Sequence, residues 1–186
     1  MAAFAVCPAP AEQGQMDSDV TLFTVLAAIN VAGYDAALES PSASAARAAL
    51  RKDLAGFQGP SLVLLKNFYQ QHKLADPIQD VAQYVSFALQ SAGPPEFKFR
   101  VPYGEISPDA QPLHGLSRLL EDFYREADIA TLFARHQPAH DQEIARYHEP
   151  VTKAVLESNG YLRMHTSGYL GRRFQIYFDL LSAPNR

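Results

Sequence analysis

Apolar residues recur at helical spacing through the first half of this chain, and each run is bounded by residues that begin or end helices. Four such segments follow one another between Asp19 and Gln90. The first comes after the N-cap candidates Ser18 and Asp19 and ends before Gly33, which adopts the left-handed conformation at low cost. Residues three and four apart share one face of a helix, so each segment is predicted to bury one apolar stripe.

Turn and cap residues mark the other three segments. Ser40-Pro41 is predicted to begin the second helix, Gly59-Pro60 to separate it from the third, and Asp76-Pro77 to begin the fourth. Gly93-Pro94-Pro95 then ends this helical region. The predicted stripes of the three helices contain Ala46, Leu50, Leu54, Phe57, Leu62, Leu65, Phe68, Tyr69, His72, Ile78, Val81, Val85 and Leu89.

Helical spacing resumes after a loop at residues 108–112. One helix is predicted from Leu116 through Phe133, and a further helix from Ala139 to a cap at Asn159-Gly160. Pro150 is expected to kink or split the latter helix, because proline removes one backbone donor and clashes with the preceding turn.

The segment from Arg172 to Leu181 is predicted to be a β-strand, and only residues 182–186 follow it. A strand needs a hydrogen-bonding neighbour in this chain, in another chain, or in a segment absent here. The candidate within the chain is Phe97 to Val101, whose apolar and basic residues alternate, but it is short and flanked by prolines. We therefore expect a fragment: the N-terminal, mostly helical region of a longer protein, cut where its next domain begins.

These patterns predict a mainly α fold, an irregular bundle of about six or seven helices with one or two short β-strands. The C-terminal strand is expected to be part of an incomplete sheet. Residues 1–17 are predicted to be a flexible tail or signal-peptide remnant, residues 18–166 a helical domain, and residues 167–186 the strand that begins a truncated following domain. The predicted core consists of Leu26, Ile29, Leu50, Leu54, Leu65, Phe68, Val81, Val85, Leu120, Phe123, Val151 and Val155.

Composition excludes several functional classes. The 186 residues include 16 basic and 20 acidic side chains, so the net charge is −4 and no concentrated basic face for nucleic acid is expected. The longest apolar run, Val20 to Ala32, is too short to span a bilayer. Cys7 is the single cysteine, which excludes an internal disulfide and a cysteine-based zinc site.

The N-terminal residues carry the information about location. Met1 to Gln15 is rich in Ala and Pro and then polar, resembling the end of a secretory signal peptide. Ala9-Pro10-Ala11 is compatible with cleavage between small residues. An extracytoplasmic location, periplasmic or secreted, is the prediction; the alternative is a disordered tail on a cytoplasmic protein.

The best candidate for metal chemistry lies between His136 and Glu149. A helix would place His140, Glu143 and Tyr147 on one face, with His148 close by, so a His-x-x-Glu pair offers two ligands. A second pair would have to come from a facing helix, with Glu121, Asp122 or Glu126 as the acidic candidates, and the zinc-peptidase pattern His-Glu-x-x-His is absent. The sequence therefore predicts no metal site, no cofactor and no catalytic residue.

Two further sets of residues are candidates for a reactive or binding site. Cys7 lies in the predicted tail, where it lacks the ordered pocket that cysteine catalysis requires. The second set, aromatic residues that line a ligand cleft or pack in a core, consists of Tyr161, Tyr169, Phe174, Tyr177 and Phe178.

Three segments carry a resemblance to a known group. Residues 168–185 (GYLGRRFQIYFDLLSAPN), 123–127 (FYREA) and 83–89 (QYVSFAL) resemble the N-terminal region of a group of uncharacterised bacterial exported proteins. In that group a helical leader precedes a segment similar to zincin-like metallopeptidases. The resemblance covers most of residues 19–185, contains no catalytic motif, and implies that the metal-binding segment lies beyond residue 186.

The resemblance favours a non-catalytic leader or accessory region that packs against a peptidase-like domain downstream in the same polypeptide. A helical protein–protein interaction module is the first alternative, in which a separate protein covers the apolar surface. A third reading is that the chain contributes one wall of a hydrolase active-site cleft through Tyr169, Arg172 and Arg173.

Overall fold

The computed structural model describes residues 16–161 and 175–183. Within them the chain is mainly helical, with six α-helices, 64% helix and two short parallel strands, which confirms the predicted fold class. The elements in chain order are β1 Met16–Asp17, α1 Val20–Ala32, α2 Ala45–Asp53, α3 Pro60–His72, α4 Pro77–Gln90, α5 Leu116–Glu126, α6 Ile129–Tyr161 and β2 Ile176–Tyr177, with 3-10 turns at Tyr103–Glu105 and Gln111–Leu113.

Helix α1 forms the centre of the bundle. It contacts the five other helices, α2 to α6, and 11 of its 13 residues are buried. Its ends follow the sequence prediction: the carboxylate of Asp19 accepts a hydrogen bond from the N–H of Leu22 at 2.8 Å, and Gly33 has a φ of +118°. The predicted single apolar stripe is wrong for α1, because a helix surrounded by five others has no face exposed to water.

Helix α2 begins four residues later than predicted. Ser44, rather than Ser40, is its N-cap and accepts from the N–H of Ala46. The helix ends at Asp53, yet Leu54 is buried beyond its end and Phe57 packs against the core.

Helix α3 begins at Pro60, as predicted, but its cap comes from another helix. The Glu126 carboxylate accepts from the backbone N–H of Ser61 at 3.0 Å and from its hydroxyl at 2.7 Å. Gly59 allows this approach, because a side chain there would collide with Glu126 and with the ring of Phe57. The charge of Glu126 also lies at the positive end of the α3 dipole.

Helix α4 begins at Pro77 with Asp76 as its cap, as predicted, but it is rotated relative to the predicted stripe. Ile78 is 69% exposed, Leu89 is exposed, and Val81 and Val85 are only partly buried. The rings of Tyr84 and Phe87 are buried instead, and two polar side chains of the same helix are buried with them. The buried residues of α4 are Asp80, Gln83, Tyr84, Phe87 and Ala88.

The boundary between α5 and α6 lies where a continuous helix was predicted. Asp128 has a φ of +47°, which ends α5 and lets α6 start at Ile129. Helix α6 then runs through Pro138 and Pro150 to Tyr161, so the predicted start at Ala139, a split at Pro150 and a cap at residues 159–160 are wrong.

The two prolines are tolerated because α6 is exposed where they occur. Each proline leaves the carbonyl four residues earlier without a helical donor. Those carbonyls belong to Ala134 and Arg146, and both residues are exposed, so water can reach them.

The residues from Phe97 to Val101 do not form the predicted strand. Phe99 makes one isolated antiparallel bridge with Ser91, and Phe97, with a φ of +50°, is buried in the core. A positive φ interrupts the extended backbone that a strand requires. This segment therefore does not pair with β2.

Strand β2 pairs in parallel with β1 instead. Met16 lies opposite Ile176 and Asp17 opposite Tyr177, and the N–H of Phe178 donates to the carbonyl of Asp17 at 2.9 Å. Sequence reasoning overlooked this neighbour because β1 is two residues long and falls in the predicted tail. Residues 172–174 of the predicted strand lie outside the described part of the chain.

Most of the predicted core is confirmed. Phe68, Val81 and Val85 pack against the core while partly exposed, and Val151 and Val155 are partly exposed on the outer half of α6. The predicted residues that are buried are Leu26, Ile29, Leu50, Leu54, Leu65, Leu120 and Phe123.

Candidate functional site

An open cleft of about 730 Å³ lies between the start of α2, the middle of α6 and the segment that follows β2. Its lining mixes aromatic rings, hydroxyls and charged groups. The lining residues are Ser42, Ser44, Ala45, Ala46, Ala139, Gln142, Glu143, Arg146, Tyr147, Tyr177, Phe178, Asp179, Leu180, Ser182 and Ala183.

The α6 wall follows from helical spacing. Ala139, Glu143 and Tyr147 follow one another at intervals of four residues, and Arg146 lies three residues after Glu143, so one face of the helix presents all of them. The Glu143 carboxylate lies 3.6 Å from the Arg146 guanidinium. The ring of Tyr147 packs 5.6 Å, centroid to centroid, from Phe178 on the opposite wall.

The opposite wall, residues 177–183, is anchored to α1 by buried polar side chains. The amide Nδ2 of Asn30 donates to the carbonyl of Leu181 at 2.9 Å, and the backbone N–H of Ala183 donates to the hydroxyl of Tyr34 at 2.9 Å. Leu181 itself is fully buried in the core. These contacts hold the wall in place at the cleft.

A buried arginine supports this anchor. The guanidinium of Arg47 donates to Oδ1 of Asn30 at 2.8 Å and to the carbonyls of Ala36 and Tyr34 at 2.7 and 3.1 Å. It also lies 4.5 Å from the centroid of the Tyr34 ring. Burial lowers the pKa of Arg47, and the nearby Tyr34 opposes that shift.

Arg51 adds a second guanidinium next to the first. It donates to the carbonyls of Asn30 and Tyr34 at 3.2 and 3.1 Å. Both cations thus lie at the carbonyl end of α1, where the helix dipole is negative. The sequence showed Arg51-Lys52 only as a short basic run and gave no signal for the burial of Arg47.

The hydrogen-bond pattern of the small sheet determines which backbone groups of β2 face β1 and which face away. Because the carbonyl of Asp17 accepts from Phe178, the parallel pattern directs the N–H and C=O of Ile176 toward β1. Successive residues of a strand direct these groups to opposite edges, so those of Tyr177 face away from β1. Tyr177 is also a lining residue of the cleft.

Several polar groups of the cleft already have structural roles. The hydroxyl of Ser44 caps α2, and the carboxylate of Asp179 accepts from the backbone N–H groups of Leu181 and Ser182 and from the Ser182 hydroxyl. Glu143 is paired with Arg146. The arrangement favours binding through aromatic and backbone surfaces.

The predicted metal candidates do not converge. His136 and His140 are buried, whereas His148 and Glu149 are exposed, and Glu143 lines the cleft. The N–H at Nδ1 of His140 donates to the carbonyl of His136 at 3.2 Å. In the described part of the chain, no three His, Cys, Asp or Glu side chains are arranged to hold a metal ion.

His136 instead links α6 to α2. Its Nε2 lies 3.1 Å from Oδ2 of Asp53, which also lies 3.4 Å from Arg135. The hydrogen bond from His136 lowers the pKa of Asp53, and Arg135 adds to this effect. Helical spacing places residues 135 and 136 side by side but does not identify Asp53 as their partner.

A second buried polar cluster surrounds Asp80 on α4. Its carboxylate accepts from the Tyr69 hydroxyl at 2.7 Å and from the N–H of Leu74 at 2.9 Å. Burial and the neighbouring carboxylate raise the pKa values of Tyr69 and Tyr84. The Tyr84 hydroxyl is buried and has no hydrogen-bond partner among the described residues. This cluster was not predicted, because the apolar stripe predicted for α4 contains Ile78, Val81, Val85 and Leu89 and leaves Asp80 out.

The remaining candidates are dispersed. Tyr161 is exposed at the end of α6, and of the aromatic set only Tyr177 and Phe178 are placed at the cleft. The residues that lie outside the described part of the chain are Cys7, Tyr169, Arg172, Arg173 and Phe174.

Comparison with protein-family models, with curated proteins and with solved structures finds no match to this chain. Among the helices from α1 to α6, none has the combination of length and apolar character needed to cross a bilayer.

Proposed function

We propose that this chain is a helical module of a larger exported protein and that it binds a polypeptide partner in the cleft between α2, α6 and residues 177–183. The first candidate partner is a peptidase-like domain downstream in the same polypeptide, following the resemblance described above. A separate protein partner is the alternative.

The observation that carries the proposal is a pair of tyrosines held at a firmly anchored cleft. Tyr147 and Tyr177 are 42% and 39% exposed, so each keeps a large aromatic surface in water. Tyrosine is enriched at protein interfaces because it combines apolar area with a polar tip and few rotatable bonds. The hydrogen bond from Asn30 to Leu181 and the one that Tyr34 accepts from Ala183 fix one wall before any partner arrives.

Binding is favoured over catalysis because three of the candidate reactive groups of the cleft already have partners within the chain. A general acid or nucleophile must be available to a substrate. Ser44 caps a helix, Asp179 holds a turn and Glu143 is ion-paired. The reading in which Tyr169, Arg172 and Arg173 form a hydrolase wall rests on residues outside the described part of the chain.

Selection from a displayed library of random twelve-residue peptides tests the proposal. The cleft is filled in one variant, Ala139→Arg, and Ala134→Arg on an exposed part of the same helix is the matched control. We expect peptides selected on the parent protein to bind Ala139→Arg at least about tenfold more weakly, the size of effect found at interface centres. They should bind Ala134→Arg as they bind the parent.

Selected peptides that bind both variants equally, or a selection that yields no peptide, would refute the proposal. The two kinds of partner are separated by a longer chain that includes the downstream sequence. If the downstream domain occupies the cleft, the longer chain should no longer capture the peptides. If a separate protein is the partner, capture should be unchanged.

A further inference from the structure

We infer that the partner segment in the cleft is an extended strand that pairs with the outer edge of β2 at Tyr177 and carries a basic side chain. This inference rests on the proposed function and specifies how the partner is recognised. It adds a third strand to the two-stranded sheet of β1 and β2.

The first argument is the direction of the backbone groups. The bond from Phe178 to Asp17 leaves the N–H and C=O of Tyr177 on the edge away from β1. Among the described residues, no backbone group donates to or accepts from them. An exposed strand edge is a template for a further strand, and its main-chain bonds bind an extended peptide largely independently of sequence.

The second argument is preorganisation. β1 holds one side of β2, and the Asn30 and Tyr34 bonds hold the residues that follow it. The edge therefore does not have to be ordered when the partner binds, which removes an entropic cost of association. Tyr177 is itself a lining residue of the open cleft, so a partner strand paired with it would contact the cleft.

The third argument is charge. The charged residues that line the cleft are Glu143, Asp179 and Arg146, two carboxylates against one guanidinium. The hydrogen bonds of Asp179 come from neutral groups and leave its negative charge in place. This charge also acts on the buried Arg47, where it opposes the lowering of the pKa by burial. The excess negative charge of the cleft attracts a lysine or arginine of the partner and repels an acidic side chain.

The test replaces backbone amides of one selected peptide by esters, one position at a time. An ester removes an N–H donor and leaves the side chains intact. Strand pairing predicts that affinity falls about threefold to tenfold at the one position whose N–H donates to the carbonyl of Tyr177. Esters at the two neighbouring positions should change affinity little, because their N–H groups point to the other edge of the peptide strand. The selected peptides should also be enriched in Lys and Arg and bind more weakly at high salt.

A pair of protein variants tests the same contact from the other side. Tyr177→Pro removes the outward N–H without removing a bond to β1, and Tyr177→Ala is the control that removes the same ring but keeps the N–H. We expect Tyr177→Pro to bind the peptide about threefold to tenfold more weakly than Tyr177→Ala.

The outcomes separate the inference from the proposed function. Ester effects that recur every three to four residues, as in a helix, would refute strand pairing, and so would the absence of any ester effect. In either case a peptide whose binding depends on the cleft would still support a binding module. Acidic peptides among the selected set would refute the charge argument. A selection without any cleft-dependent peptide would remove the proposed function and this inference together.

Discussion

Asn30, in the middle of the bundle, donates a hydrogen bond to the carbonyl of Leu181 across 151 residues of sequence. The same amide side chain accepts from Nε of Arg47 through its oxygen and donates to the carbonyl of Leu26. One buried side chain thereby joins α1, α2 and the segment after β2. This junction positions one wall of the cleft.

Asn30→Ala is expected to lower the free energy of unfolding by about 2–5 kcal/mol, because the Leu181 carbonyl and Nε of Arg47 lose a buried partner. Urea denaturation measures the change. Asn67→Ala, at an exposed position of α3, should shift stability by less than about 0.5 kcal/mol. Equal midpoints for the two variants would show that the junction does not stabilise the fold.

Leu54→Ala is expected to cost about 2–5 kcal/mol, since it leaves a cavity in the core beyond the end of α2. Phe123→Ala should cost a similar amount. Ile78→Ala is the informative comparison, because the sequence pattern places Ile78 inside and the structure places it in water. A large loss of stability from Ile78→Ala would contradict the observed rotation of α4.

Stability is expected to fall in acid in part through Asp53. His136 and Arg135 hold the pKa of its carboxyl below the ordinary value of 3.8, so the folded state favours the ionised form. The stability gained from ionised Asp53 is therefore fully present well above pH 3.8, the ordinary pKa. It is lost as the pH falls below 3.8 and through the lower pKa of the folded state.

Asp53→Asn should therefore be less stable than the parent near neutral pH, and the difference should shrink in acid. Unfolding measured at a series of pH values checks this. A difference that stays constant down to the lowest pH would refute the ion-pair origin of the shift.

Zinc is expected not to copurify stoichiometrically with the protein. His140 is buried, Glu143 is paired with Arg146, and no three His, Cys, Asp or Glu side chains in the described part of the chain are arranged to hold a metal ion. Elemental analysis after dialysis measures the zinc content. One zinc per chain that disappears in His140→Ala would contradict the prediction.

The sequence by itself determined the helical class and several helix ends. Asp19, Gly33 and Asp76 cap helices through groups within a few residues of themselves, so these caps can be predicted without knowledge of the fold. Local signals failed where a distant group took over the same role. Glu126, on α5, caps the start of α3, and no sequence pattern near residue 60 predicts this contact.

The tertiary structure alone decided which faces are buried and how the cleft is assembled. The inward face of α4 depends on the neighbours of Tyr84 and Phe87, and the pairing of β2 depends on a two-residue strand at the other end of the described chain. Burial and strand pairing are energies between residues remote in sequence, whereas caps and periodicity reflect energies within one turn. The helices could therefore be predicted from the sequence, and the site that they form could not.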